Sequence, residues 1–78
     1  MAIPAAMSIK KKAFSVKGVK GVHDVRAHYV GVLLHVEVHI TVDKKLSIYK
    51  AHAIGKKAEG KIKELEEVNE AFVHIDPV

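Results

Sequence analysis

Two short strings in this chain carry residues that could do chemistry: His74-Ile75-Asp76 near the end and His35-Val36-Glu37-Val38-His39 in the middle. Imidazole nitrogens and carboxylate oxygens are ligands for divalent first-row ions, and residues two apart share one side of a β-strand. Six of the 78 residues are His, well above ordinary usage. There is no Cys, which excludes a disulfide framework, any thiolate site and Cu(I) held by a Cys-x-x-Cys loop. A metal here would be bound by imidazole and carboxylate, which favours Zn²⁺ or a similar divalent ion. A single surface His is usually only solvated, so the reading depends on elements that bring several together.

The clearest element is a strand from Leu34 to Val42. Leu34, Val36, Val38, Ile40 and Val42 fill one face, and His35, Glu37, His39 and Thr41 the other. Slipping the register by one residue would bury a Glu and two His, so pairing is tightly specified. The closing stretch Ala71–Pro77 repeats the pattern, with Ala71, Val73 and Ile75 apolar against Phe72, His74 and Asp76. An earlier strand is expected from His23 to about Val30, where Val25, Ala27 and Tyr29 alternate with Asp24, Arg26 and His28. Gly31 marks the turn that follows.

Two helices complete the set. The first is expected from about Pro4 to Ser15, with Met7, Ala13 and Phe14, and Ile9 or Lys10 between them, forming its stripe and Lys10–Lys12 its wet side. The second is expected from a Ser47 N-cap to about Glu67, ended by Asn69. Ile48, Ala51, Ile54, Ala58, Ile62 and Leu65 recur along it at helical spacing, Glu59 and Lys63 form an i,i+4 pair, and Gly55 and Gly60 permit close approach to the sheet. The order helix, strand, strand, helix, strand predicts an α+β two-layer sandwich related to ferredoxin-like folds, with a three-stranded sheet and both helices on one face. Residues 1–78 read as one domain, small enough for partnering or metal to help stabilise it.

Helices on the face of Val36, Val38 and Ile40 leave His35, Glu37, His39, Phe72, His74 and Asp76 on the opposite face. Neighbouring strands about 4.8 Å apart allow side chains to converge on one ion. His39, His74 and Asp76 are the candidates by that geometry, and His23 reaches the same edge if the first two strands pair as a hairpin.

The bulk properties are those of a water-soluble domain: 49% hydrophobic, 28% charged, and a net charge of +4 from 13 basic and 9 acidic residues. No apolar run approaches the 18 or more residues of a membrane span. The first Lys cluster follows the short apolar opening, which is not the layout of a secretory signal.

Four strings, in order and spacing, closely resemble the C-terminal cytoplasmic domain of cation diffusion facilitator transporters. They are GVKGVHDVR at Gly18–Arg26, HVEVHITVD at His35–Asp43, KAHAI at Lys50–Ile54 and FVHIDP at Phe72–Pro77. The GVHDVR segment and the terminal HIDP are the most specific. The likeness runs from about Val16 to the end, with Lys17 where relatives often carry Pro. It implies a metallochaperone-like αββαβ fold that forms a homodimer, binds Zn²⁺ at the dimer interface and regulates the transmembrane domain of an antiporter exporting zinc or a related cation. The implied metal ligands are His23, His39, His52, His74 and Asp76. His52 lies on the second helix and completes a site across the dimer, while Asp76 bridges two ions. Glu37 is expected to orient a ligating imidazole, Asp24 and Arg26 to pair with each other, and His28 and His35 to have no ligand role. Cd²⁺, Co²⁺, Ni²⁺ and Mn²⁺ are compatible with the same donors.

About six transmembrane helices make up the rest of such a transporter, so the chain is expected to be a soluble fragment or a free-standing relative, located at the cytoplasmic face of the cell membrane. Its Lys-rich surface suits an anionic inner leaflet, at about 1 kcal/mol for each Lys near it. The alternative reading is a nucleic-acid-binding α+β module, but Phe72 is the one stacking aromatic on the open face, so no nucleic-acid partner is expected. A hydrolase of acylphosphatase type would want an Arg-lined anion cradle, and Arg26 is the single Arg. No enzymatic activity is expected.

Overall fold

A computed structural model describes residues 6–78; Pro4, the expected helix start, lies outside them. The elements run α1 (Ala6–Phe14), β1 (Gly21–Val30), β2 (Leu33–Val42), α2 (Ile48–Ile62) and β3 (Glu70–Pro77). They form a two-layer α+β fold whose sheet has the order β1-β2-β3. β1 and β2 make an antiparallel hairpin, and β3 returns parallel to β2 after the α2 crossover.

The hairpin turns on Gly31 and Val32, between the paired residues Val30 and Leu33. A two-residue β-hairpin loop needs positive φ at its first position, and Gly31 supplies it at 64°. On the central strand, Leu34, Val36, Val38 and Ile40 are fully buried and Val42 nearly so. Burial of each such aliphatic side chain stabilises the fold by about 1.5–3 kcal/mol. Ile9 and Ala13 of α1, Ala58 and Ile62 of α2, and Ala71 of β3 close over them.

Several sequence expectations shift. In α1 only Ile9 and Ala13 are buried; Met7 and Phe14 are 66% and 52% exposed, because the short helix presents a single i,i+4 ridge to the core. Ser47 does cap α2, its hydroxyl accepting from the Lys50 amide at 3.1 Å. The first turn overhangs the sheet, leaving Ile48 89% exposed. The helix ends at Ile62, not Glu67, with Lys63 as its C-cap. The Glu64, Glu66 and Glu67 carboxylates would oppose the negative end of a longer helix dipole. Asn69, moreover, is claimed by the sheet. Its side-chain oxygen accepts from the Leu34 amide at 2.7 Å, and its own amide donates to the Leu34 carbonyl at 3.0 Å. Asn69 therefore docks β3 rather than stopping a helix.

With Lys63 at the cap, Glu59 faces Lys56 at 3.8 Å instead. Within the helical layer, α1 is tied to the end of α2 by Lys12 and Glu64, 2.9 Å apart, with Lys61 3.5 Å from the same carboxylate. The two glycines of α2 also differ. A Cβ on Gly55 would lie 2.7 Å from Ile75 Cδ1, so this glycine sets the helix–sheet spacing, whereas a Cβ on Gly60 would meet nothing within 4 Å.

Two outcomes follow for stability. Gly60→Ala should stabilise the domain by about 0.5–1 kcal/mol in chemical denaturation through helix propensity alone, whereas Gly55→Ala should fail to show that gain because Ile75 must move. The Lys12 hydrogen bond and charge hold the Glu64 carboxyl below its ordinary range. A lowered folded-state value means the contribution is present above the unfolded carboxylate range and lost as pH falls through the folded one. Glu64→Gln should thus lower the melting temperature slightly at pH 7, and the difference from wild type should vanish in strong acid.

Candidate metal centre

The open face of the sheet is a grid whose rows are fixed by strand register. One row holds His28, His35 and Glu70; the next Arg26, Glu37 and Phe72; the third His23, His39 and His74; Asp76 stands opposite Thr41 in the fourth. Strict alternation along β1 would have put His23 on the side of Val25 and Ala27, against the core. A β-bulge between His23 and Arg26 changes that parity. Asp24 sits in it at φ 50°, a left-handed conformation that Asp tolerates better than most residues. The extra residue turns His23 onto the open face, directly opposite His39.

The consequence is a tight cluster. Asp76 Oδ2 lies 3.2 Å from His23 Nε2 and 3.2 Å from His39 Nδ1. The His23 and His39 rings are 5.4 Å apart, and the His39 and His74 rings stack at 4.6 Å with an interplanar angle of 16°. On the far side of that stack, Glu37 Oε2 is 3.6 Å from His74 Nε2. Four of the five sequence-identified ligands, His23, His39, His74 and Asp76, thus meet on one face, contributed by three different strands. Their side chains are 30–51% exposed, so an ion could reach them from solvent.

His52 is placed elsewhere. It lies on α2 in the helical layer, lining a groove with Gly55, Lys56, Glu59, Val73 and Ile75. Val73 and Ile75 face the helices and His74 and Asp76 the opposite side, so within one protomer the sheet separates His52 from the other four.

Two features escaped the sequence reading. Asp24 forms no ion pair with Arg26; its carboxylate instead groups with His23 and His39, ligand atoms all within 4.8 Å of one another. The signal was the even-odd mismatch between His23 and the His28/Arg26 series, which only a bulge resolves. Glu37, expected to orient an imidazole, forms a second such group with His39 and His74. His28 and His35 face each other with rings 6.0 Å apart, and His35 lies 5.9 Å from the half-exposed Phe72 ring, away from the cluster.

The donor chemistry fits a divalent cation. Tetrahedral ligands at about 2.1 Å from an ion lie about 3.4 Å from one another; the groups His23, Asp24, His39 and Glu37, His39, His74 hold their donor atoms within 4.8 Å of one another, while Asp76 meets His39 through a 3.2 Å hydrogen bond. Over residues 5–78 the sequence matches the family described as the cytoplasmic domain of cation efflux proteins. The chain belongs to that family.

Among its cation efflux relatives, an uncharacterized transporter of Methanocaldococcus jannaschii is 43% identical over 90% of this chain, which spans 25% of that protein. Metal tolerance protein C1 of Arabidopsis thaliana is 40% identical over 97% of the chain, which spans 17% of it. The chain thus covers a quarter or less of these relatives' length. Among solved structures, a MamM CTD variant in a cadmium form superposes with a TM-score of 0.84 at 27% identity, covering 92% of this chain and 91% of its own. That correspondence agrees with the metallochaperone-like αββαβ arrangement. Among the described residues, no helix is long and apolar enough to cross a membrane.

Proposed function

We propose that this domain senses divalent cations, zinc foremost, for a cation efflux transporter, binding them through His23, His39, His74 and Asp76 with His52 contributed by a second copy. The observation that carries the reading is the placement of Asp76 Oδ2 at 3.2 Å from two imidazoles on two other strands. Asp76 can serve as a bridging carboxylate, since its second oxygen makes no side-chain hydrogen bond among the described residues. A bound cation supplies a positive charge that ties these donors together. His52, on the helical layer and separated from the other four by the sheet, is in this reading a ligand toward another protomer rather than its own. Phe72, half exposed beside the cluster, provides apolar contact area for that pairing. Binding that needs both protomers couples metal concentration to assembly, and through it to the attached transmembrane domain. The cadmium form of the MamM CTD shows that a domain of this fold accepts a divalent ion, and the thiol-free donor set here also suits Co²⁺, Ni²⁺ and Mn²⁺.

Zn²⁺ added at pH 7 should raise the melting temperature, and native mass spectrometry should show a metal-loaded dimer. Substituting Ala at His39, His74 and Asp76 together should abolish both effects, and binding should weaken below about pH 6, where imidazoles protonate. A wild-type protein whose melting temperature ignores Zn²⁺ would refute the sensor reading.

The helical layer supports a position beside an anionic membrane surface. Lys11, Lys12, Lys17, Lys50, Lys57 and Lys61 line its grooves, while its Glu59 and Glu64 carboxylates are already engaged by lysines. Exposed Phe14 and Met7 stand among them, the mixture found at lipid interfaces. Cosedimentation with phosphatidylglycerol vesicles at low salt, lost at high salt and absent with phosphatidylcholine, is the expected result. Failure to sediment with either lipid argues against membrane contact.

A further inference from the structure

A cavity in the helical layer lies away from the open face of the sheet. It sits between α2 and the connection from α1 to β1, and its volume is about 320 Å³. Small-molecule pockets run from about 300 to 1,000 Å³. Gly18 shapes it. This residue has φ 101°, and a Cβ on it would lie 2.6 Å from Ile54 Cδ1, so glycine lets the connection press against α2. Lys17 is thereby brought to the same cavity as Lys50 and Lys57. Those two share one face of α2 at i and i+7, with Ile54 between them. Leu46 and Ile54, packed against the core, give the cavity an apolar floor. Tyr49, 85% exposed, adds an aromatic ring to its lining.

Charge sets these three lysines apart. Lys12, Lys20, Lys56 and Lys61 each reach a carboxylate within 4.0 Å, whereas Lys17, Lys50 and Lys57 make no ion pair among the described residues. No acidic side chain lines the cavity. Three ammonium groups around one cavity repel one another, and an anion among them turns that repulsion into attraction. Lysine binds phosphate as a point charge on a flexible stem, so three of them suit a group carrying several phosphate charges. The ring and the apolar floor suit a flat, partly apolar body attached to it. We propose that this cavity binds a nucleoside polyphosphate, its phosphates among Lys17, Lys50 and Lys57 and its base against Tyr49, as bases stack on exposed aromatic rings. Such binding needs neither a cation on the open face nor a bilayer, although the same lysines belong to the surface assigned above to the membrane. Because one lysine comes from the α1–β1 connection and two from α2, the bound anion braces the connection against the helix.

The test uses the whole chain, free of metal, titrated with ADP and separately with inorganic pyrophosphate while the binding isotherm and the tyrosine ring resonances are followed. ADP should shift the Tyr49 ring saturably and leave Tyr29 in place, and it should raise the melting temperature. Pyrophosphate should bind more weakly and leave the Tyr49 ring unmoved. Replacing Lys17, Lys50 and Lys57 together by Gln should weaken ADP at least tenfold. The charge-matched replacement of Lys10, Lys45 and Lys63 by Gln should change it less than twofold, which separates a site from the pull of net charge. Tyr49→Ala should weaken ADP but not pyrophosphate. Amide spectra establish that each variant is folded. Equal losses in the two triple variants, or a Tyr49 ring indifferent to ADP, overturn the proposal. So does sedimentation with phosphatidylglycerol vesicles that depends on Lys17, Lys50 and Lys57 when ADP does not bind, since the lysines then serve a lipid surface alone.

Discussion

The register of β2 against both its neighbours is the constraint on which the rest of the molecule depends. This strand is central, so each residue is committed to one of two very different environments. Leu34, Val36, Val38 and Ile40 lose all contact with water, while His35, Glu37 and His39 remain at the surface. A slip of one residue would exchange the two sets, burying charge and exposing the core in a single step. The same pairing aligns His39 with His23 on one side and His74 on the other. Fold stability and ligand alignment thus arise from one set of backbone hydrogen bonds.

Around that fixed strand, local devices trim the geometry. The bulge at Asp24 adds one residue to β1 and rotates His23 to the ligand side without disturbing the Val22 and Ala27 pairings farther along. Asn69 completes the ladder ahead of β3 with its side chain. At the other end, the Val78 amide donates to the Val42 carbonyl and its own carbonyl accepts from Lys44. The strand that carries His74 and Asp76 is therefore pinned at both ends. Gly55 lets α2 settle onto Ile75 behind it.

Much of this was legible because β2 and β3 obey a period of two and Ser47 sits where a helix must be capped. Those signals are local and strong. The convergence of His39, His74 and Asp76 followed from alternation alone, and the family motifs added His23 and His52. What could not be read depended on distant parts of the chain. The end of α2 was decided by Asn69 bonding to Leu34, and the bulge by pairing with β2. Met7, Phe14 and Ile48 fit helical stripes, but the sheet beneath is too small to cover them. Gly55 and Gly60 look alike in sequence; only the presence of Ile75 beneath one of them distinguishes their roles.

The parallel docking of β3 has a further meaning. His39 and Asp76, in contact in the folded domain, are 37 residues apart, with the whole of α2 between them. The β1–β2 hairpin can form early, from local contacts, but it holds only His23, Asp24, Glu37 and His39 of the cluster. The remaining donors arrive when the crossover helix has packed and the final strand has found its edge, among the slower events for a chain of this topology. A polypeptide whose last strand is undocked therefore presents an incomplete set of the proposed ligands, so that on this reading avid cation capture would report a finished fold.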